Sequence, residues 1–298
     1  MNLLRPELAL MTGATLWGLG WIPLQMFAGR GLAGMPLILA CYGLLSLVSL
    51  PLILRQRRAW WGQRFNLLAI GVCGGWATAG LVSALSEGDV MRAMLLFYLA
   101  PVWALLGGWL LLGERLDAAR IGAVLLAMLG IALTLGVSRE SFRALHGSDA
   151  LALSAGMAFA LNNIATRSAE RVPMTSKTLV AFLGSAAFGA LFCLIQGRGL
   201  PPMSAQTWGL VALFGVFWLV SMAAAQYGFS HVEASRGAVL ALVELIAAVL
   251  SSAAFGEREI ALREWLGGAL VLAAALAAAF IAARPPRPTR PSVCEANR

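Results

Sequence analysis

The chain is poor in charge and in the residues of soluble chemistry. It has one lysine (Lys177), two histidines and four cysteines in 298 residues, and only 12% of its residues are charged. A soluble domain carries roughly 25% charged residues, and 60% of this chain is hydrophobic, with a mean hydropathy of +0.80. No soluble fold of this length has enough interior for that much apolar surface, so the bilayer must be the solvent. The cysteines (Cys41, Cys73, Cys193, Cys294) form no CxxC pair, and three lie in apolar runs, which reads as small packing residues rather than disulfides or a metal site. HExxH, GxSxG and P-loop motifs are missing, so no enzyme, metal or cofactor is expected. His146 and His231 fall at span ends. The net charge of +8 could point to nucleic acid. The basic residues instead sit in short loops between apolar runs, and no nucleic-acid-reading motif accompanies them.

What is present is a series of apolar runs. From Ala93 to Gly113 no residue is charged, which as a helix spans ~30 Å, one bilayer core. Ten spans are expected, at about 7–28, 33–54, 65–86, 91–112, 119–137, 150–170, 177–196, 207–230, 235–255 and 264–283. The proline-rich tail at 284–298 is expected to be disordered and basic. The N-terminal run is too long, and carries too many polar and bulky residues, for a signal peptide. With the N-terminus inside, 15 arginines and lysines face the cytoplasm and 7 face out, so both termini are expected to be cytoplasmic.

A shift of 143 positions lays Gly113-Glu114-Arg115 on Gly256-Glu257-Arg258, Ala104 on Ala247 and Gly108 on Ser251. The expected organisation is therefore a five-helix repeat at 1–146 and a second at 147–283. Five is odd, so like-folded copies enter the membrane from opposite sides. Such inverted repeats place a site near the midplane where the halves meet. Duplication also builds membrane proteins that transport nothing, which is the plainer alternative.

The candidate site is whatever is not aliphatic near the span centres: Trp17 and Trp21, Trp76 and Thr78, Tyr98 and Trp103, Asn162 and Asn163, Trp218 and Gln226, and Glu244. Tryptophan normally gathers at the interfaces. Trp17, Trp76, Trp103 and Trp218, on four helices at similar depth, point to a shared aromatic cavity, with packing filler as the plainer reading of each. Glu244 is the one acid deep in a span, where a charge costs ~2.5–3.5 kcal/mol, and no span centre has a cation to pair with it. It reads as a proton-coupling or substrate-amine group, or else as a carboxyl that merely hydrogen-bonds a neighbouring helix. Gly18, Gly20, Pro23 and Pro101 read as hinges or helix breaks. The Ala104xxxGly108 and Ala247xxxSer251 steps read as close packing, and Gly113-Glu114-Arg115 as a glycine helix stop. The middles of spans 5 and 10 carry nothing comparable, and both spans are expected on the outside of the bundle.

LAPVWALLGGWLLLGERL in span 4, LVELIAAVLSSAAFGER in span 9 and the opening ALMTGATLWGLGWIP resemble EamA-type members of the drug/metabolite transporter superfamily. The resemblance covers the whole chain. It implies a secondary transporter of the bacterial inner membrane with a cavity between its halves, many members being exporters of amino acids or other metabolites. The midplane tryptophans are similar in kind to the YddG-type aromatic amino acid exporters. One departure stands out: the family often has a Glu-Pro step in span 9, where this chain has Val243 at the glutamate place and Glu244 at the proline place. The expected partners are a small neutral or zwitterionic molecule and the lipid bilayer, with protons as a candidate co-substrate and no nucleic acid. The alternatives are a phosphate-sugar or nucleotide-sugar carrier, which needs cations in its cavity, and a non-transporting membrane scaffold.

Overall fold

A computed structural model describes residues 5–88, 90–137, 146–255 and 261–281. The tail, the second Gly-Glu-Arg and Cys294 lie outside these residues. Among them there are thirteen α-helices and no strand. In order they are α1 (Pro6–Gly18), α2 (Trp21–Ala28), α3 (Met35–Gln56), α4 (Arg64–Glu87), α5 (Val90–Phe97), α6 (Ala100–Leu112) and α7 (Ala118–Leu135). There follow α8 (Gly147–Ser168), α9 (Met174–Ile195), α10 (Ala205–His231), α11 (Ala234–Ala241), α12 (Val243–Ala254) and α13 (Leu262–Ile281). A 3-10 turn, Arg57–Gln63, joins α3 to α4. Seven segments are long and apolar enough to cross a bilayer.

Three junctions join helices end to end with a one-turn tightening centred on a leucine. At each, i→i+3 bonds replace the α-helical ladder: Gly20 N to Trp17 O (2.9 Å) and Ile22 N to Leu19 O (3.2 Å); Leu99 N to Leu96 O (3.3 Å) and Val102 N to Leu99 O (2.9 Å); Leu242 N to Val239 O (3.2 Å) and Leu245 N to Leu242 O (3.0 Å). Gly18 and Gly20 flank the first junction and Pro23 lies in the turn after it. Pro101 follows the second, where its missing N–H and its ring oppose a continuous helix. The third was not expected, because no proline stands there: Glu244 occupies the second position of α12, as Pro101 does in α6. Leu99 and Leu242 are 143 positions apart, the offset of the sequence repeat.

Packing is mainly between the two halves of the chain. The largest contacts are α4 with α8 and α9, α7 with α13, α3 with α9, and α1 with α10. Shifting by one repeat exchanges the pair α4–α8 with the pair α1–α10. Small residues allow the closest approaches. A Cβ on Gly130 of α7 would lie 2.8 Å from the Gly267 carbonyl oxygen of α13. Ala104 and Gly108 are buried, with Ala104 clustered against Ala160 and Ala238, so this step serves close packing. Gly113, at φ 67°, ends α6 in the left-handed conformation that glycine adopts without strain.

Candidate functional site

A cavity of about 230 Å³ lies between the halves, lined by α1–α5, α8 and α10–α12. Helices α7 and α13 pack against each other and give it no residue, in keeping with the outer position expected of spans 5 and 10.

Of the eleven predicted site residues, seven line this cavity: Trp17, Thr78, Asn162, Asn163, Trp218, Gln226 and Glu244. Trp17 and Trp218 face each other across α1 and α10 with ring centroids 4.2 Å apart. The amide of Asn162 donates to Asn163 Oδ1 (3.2 Å), leaving Asn162 Oδ1 and Asn163 Nδ2 without a partner. Gln226 is 1% exposed, and neither end of its amide has a partner. Thr78 donates to the Gly74 carbonyl (3.1 Å) and accepts from Ser185 (3.3 Å).

The other four do not line the cavity. The indole N–H of Trp21 donates to Ser251 (2.9 Å), and its ring meets Phe255 edge-on. That of Trp76 donates to Ser154 (3.1 Å), and its ring packs on Phe188. Trp103 packs among Ala104, Ala160 and Ala238 with its indole N–H unpartnered. Tyr98 is buried behind the wall, its hydroxyl beside the Glu244 carboxyl and within reach of a hydrogen bond. The four-tryptophan cavity is thus corrected to one tryptophan pair. Depth along a helix can be counted from sequence, but the direction in which an indole points cannot. The remaining aromatic lining comes from Tyr42, Phe97, Phe159, Phe214 and Phe229, which sequence reasoning missed. Nothing distinguishes them from packing residues except the neighbours the fold supplies.

The first junction seats on the third. A Cβ on Gly18 would collide with the Glu244 carbonyl oxygen and lie 2.9 Å from Ala247 Cβ, and a Cβ on Gly20 would lie 2.8 Å from the Trp218 ring. Two helix breaks therefore meet at the cavity wall beside Glu244.

At the end where α1, α7 and α11 begin, the lining residues Leu10 (0% exposed) and Phe229 (5%) are buried. Beyond them three ion pairs cross between the halves: Arg236–Glu7 (2.8 Å), Arg120–Glu233 (2.7 Å) and Arg167–Glu114 (3.3 Å). Glu114 also accepts the Ala234 N–H (2.8 Å), which caps α11. Sequence reasoning gave Gly113-Glu114-Arg115 only a helix stop; Gly113 does that, and Glu114 links the halves as well. Lys177, counted in the sequence as a loop cation, is 3% exposed in the first turn of α9 and donates to Thr166 O (2.8 Å) and Ser230 Oγ (3.0 Å). At the opposite end Arg92 pairs with Asp149 (2.8 Å).

An all-helical bundle with several bilayer-length apolar helices, enclosing a mostly apolar cavity with a few buried polar groups, is the architecture of a polytopic membrane protein that handles small molecules. The EamA-like transporter family model matches residues 4–136 and again 147–280. The chain belongs to this family: it is a multi-pass membrane transporter of the drug/metabolite superfamily. A protein of Archaeoglobus fulgidus described as an uncharacterized transporter is 31% identical over 214 residues, covering 72% of this chain and 76% of its own length. A solved crystal structure shares the fold with a TM-score of 0.73 at 19% identity, over 94% of this chain and 99% of that one.

Proposed function

We propose that the protein is a secondary transporter that exports small neutral or zwitterionic metabolites, above all amino acids with apolar or aromatic side chains, by alternating access around the central cavity. The observation that carries this reading is the lining: aliphatic and aromatic surface, amide groups of Asn162, Asn163 and Gln226 with donors and acceptors left over, one carboxyl at Glu244, and no arginine or lysine among the lining residues. A phosphorylated sugar would enter that space with its charge uncompensated, so the lining disfavours the sugar-phosphate and nucleotide-sugar alternative.

On this reading α1–α2, α5–α6 and α11–α12 are three interrupted crossings, giving ten in all as two inverted five-helix halves, 1–146 and 147–283. The matching junctions at Leu99 and Leu242, and the paired packing of α4–α8 and α1–α10, support that arrangement. Loop arginines support cytoplasmic termini in a bacterial inner membrane. The ion pairs at the N-terminal end then hold the cytoplasmic side closed.

The experiment is competition in proteoliposomes. A labelled apolar amino acid should be carried, and excess unlabelled Phe should compete at least about tenfold better than Glu, a difference of ~1.4 kcal/mol. Stronger competition by Glu overturns the reading. No flux of any amino acid, sugar phosphate or nucleotide sugar favours the scaffold alternative.

A further inference from the structure

The cavity's polar groups are unevenly divided between the halves. The first half of the chain contributes Trp17, Leu24, Ile38, Tyr42 and other mostly apolar groups; its Thr78 hydroxyl is already engaged, and its Tyr42 ring is stacked on Phe182 (5.1 Å). The second half contributes every amide and the carboxyl, from α8, α10 and α12. One repeat back, Asn162, Asn163, Gln226 and Glu244 fall on Leu19, Gly20, Ser83 and Pro101. Ser83 is buried but does not line the cavity, so the amides and the carboxyl there belong to one copy only.

Its chemistry is two-way. The Asn162–Asn163 pair spends one donor and one acceptor on each other and leaves one carbonyl and one NH2. Turning both amides around leaves the same remainder, so the result does not hang on their orientation. Gln226 adds another carbonyl and another NH2, at 1% exposure. A buried polar group left unpaired is costly, and that cost is recovered when a ligand head both donates and accepts. Along α10, Trp218 lies eight residues from Gln226, ~12 Å of helix. Gln226 thus sits toward the closed end of the cavity, as does Asn163, one turn of α8 before the ion-paired Arg167, and the Trp17–Trp218 pair lies two turns away along α10.

We propose that Asn162, Asn163 and Gln226 form the head-group site of the transporter, taking a compact head that both donates and accepts hydrogen bonds, with the ligand's apolar body directed along α10 toward the Trp17–Trp218 pair. An α-ammonium with its carboxylate is such a head, and so is a primary carboxamide. The proposal rests on the cavity being the substrate site, and it fixes orientation and head chemistry within it.

The test uses the full-length protein in detergent and four probes sharing a phenyl body: L-phenylalanine, phenylacetamide, 2-phenylethylamine and 3-phenylpropionate. Binding is read as ligand-induced thermal stabilisation and tryptophan fluorescence. A two-way head, on Phe or on phenylacetamide, should bind about tenfold tighter than either one-way head, and Gln226→Leu should erase that preference. Gln226→Leu should also leave the ligand-free melting temperature unchanged or higher, because it removes an unpaired buried amide without changing the shape much. A fold-supporting amide would instead lower it. Asn163→Leu repeats the test on α8. Binding of phenylacetamide but not Phe supports the head site while removing the amino-acid reading. Equal affinity for all four probes overturns the head site. So does a lowered ligand-free melting temperature in Gln226→Leu with the preference intact.

Discussion

Glu244 separates two roles that share one position. It faces the cavity from α12, with the Tyr98 hydroxyl beside its carboxyl and its own carbonyl against Gly18. If it couples transport to protons, Glu244→Gln will remove the pH dependence of flux in proteoliposomes while exchange of labelled for unlabelled substrate continues. Parental behaviour of the variant at every pH would reduce the carboxyl to a hydrogen-bonding group. The tryptophans give a sharper contrast than their sequence positions suggest. Trp17→Ala opens the cavity wall and should weaken aromatic substrates about tenfold relative to small ones, since a stacked pair and its buried area are lost. Trp103→Ala, among alanines away from the cavity, should lower the melting temperature and leave that selectivity unchanged. The sequence showed which residues are polar at the span centres, and the amides and Glu244 do reach the cavity. It could not show rotation about each helix axis, which sends Trp76 to Ser154 and Trp21 to Ser251.

The interrupted helices were half legible. Pro101 and the Gly18–Gly20 pair announce a break through backbone chemistry that needs no tertiary context. The Leu242 break has no such residue and arises where α1 seats against α12. Pro101→Ala therefore tests whether a proline is needed at the matching junction. It should slow maximal transport several-fold while KM stays within about twofold, because a continuous helix stiffens the moving part without touching the lining; a changed KM with unchanged maximal rate would contradict this. At the facing junction, Gly18→Ala inserts a methyl against the Glu244 carbonyl and should destabilise by about 1–3 kcal/mol. Gly62→Ala, with open space around it, should not. Melting temperatures of the two variants compare a break-on-break contact with a free surface.

For the whole molecule, the repeat and its period were readable because Gly-Glu-Arg recurs at a fixed offset, but the role of its acid was not. Glu114, Arg120, Arg167, Glu233, Glu7 and Arg236 are scattered along the sequence as ordinary interfacial charges, and the fold gathers them across the two halves at one end. Removing a partner from a largely buried pair leaves the other charge uncompensated. Glu114→Gln should therefore loosen this end. A cysteine introduced at Ala241, which lines the cavity, should then react several-fold faster with a thiol reagent applied from the side bearing the N-terminus. Unchanged reactivity would mean that the ion pairs do not hold the cavity shut.

Lys177 carries a consequence of a different kind. It is the chain's one lysine, and it is held out of solvent between Thr166 and Ser230. The folded protein thus offers amine-reactive reagents no accessible lysine side chain, and opening the α8–α9–α10 contact exposes one. Acylation located at Lys177, read apart from that of the α-amine, is a built-in clock for local unfolding, running in the native membrane without an introduced label.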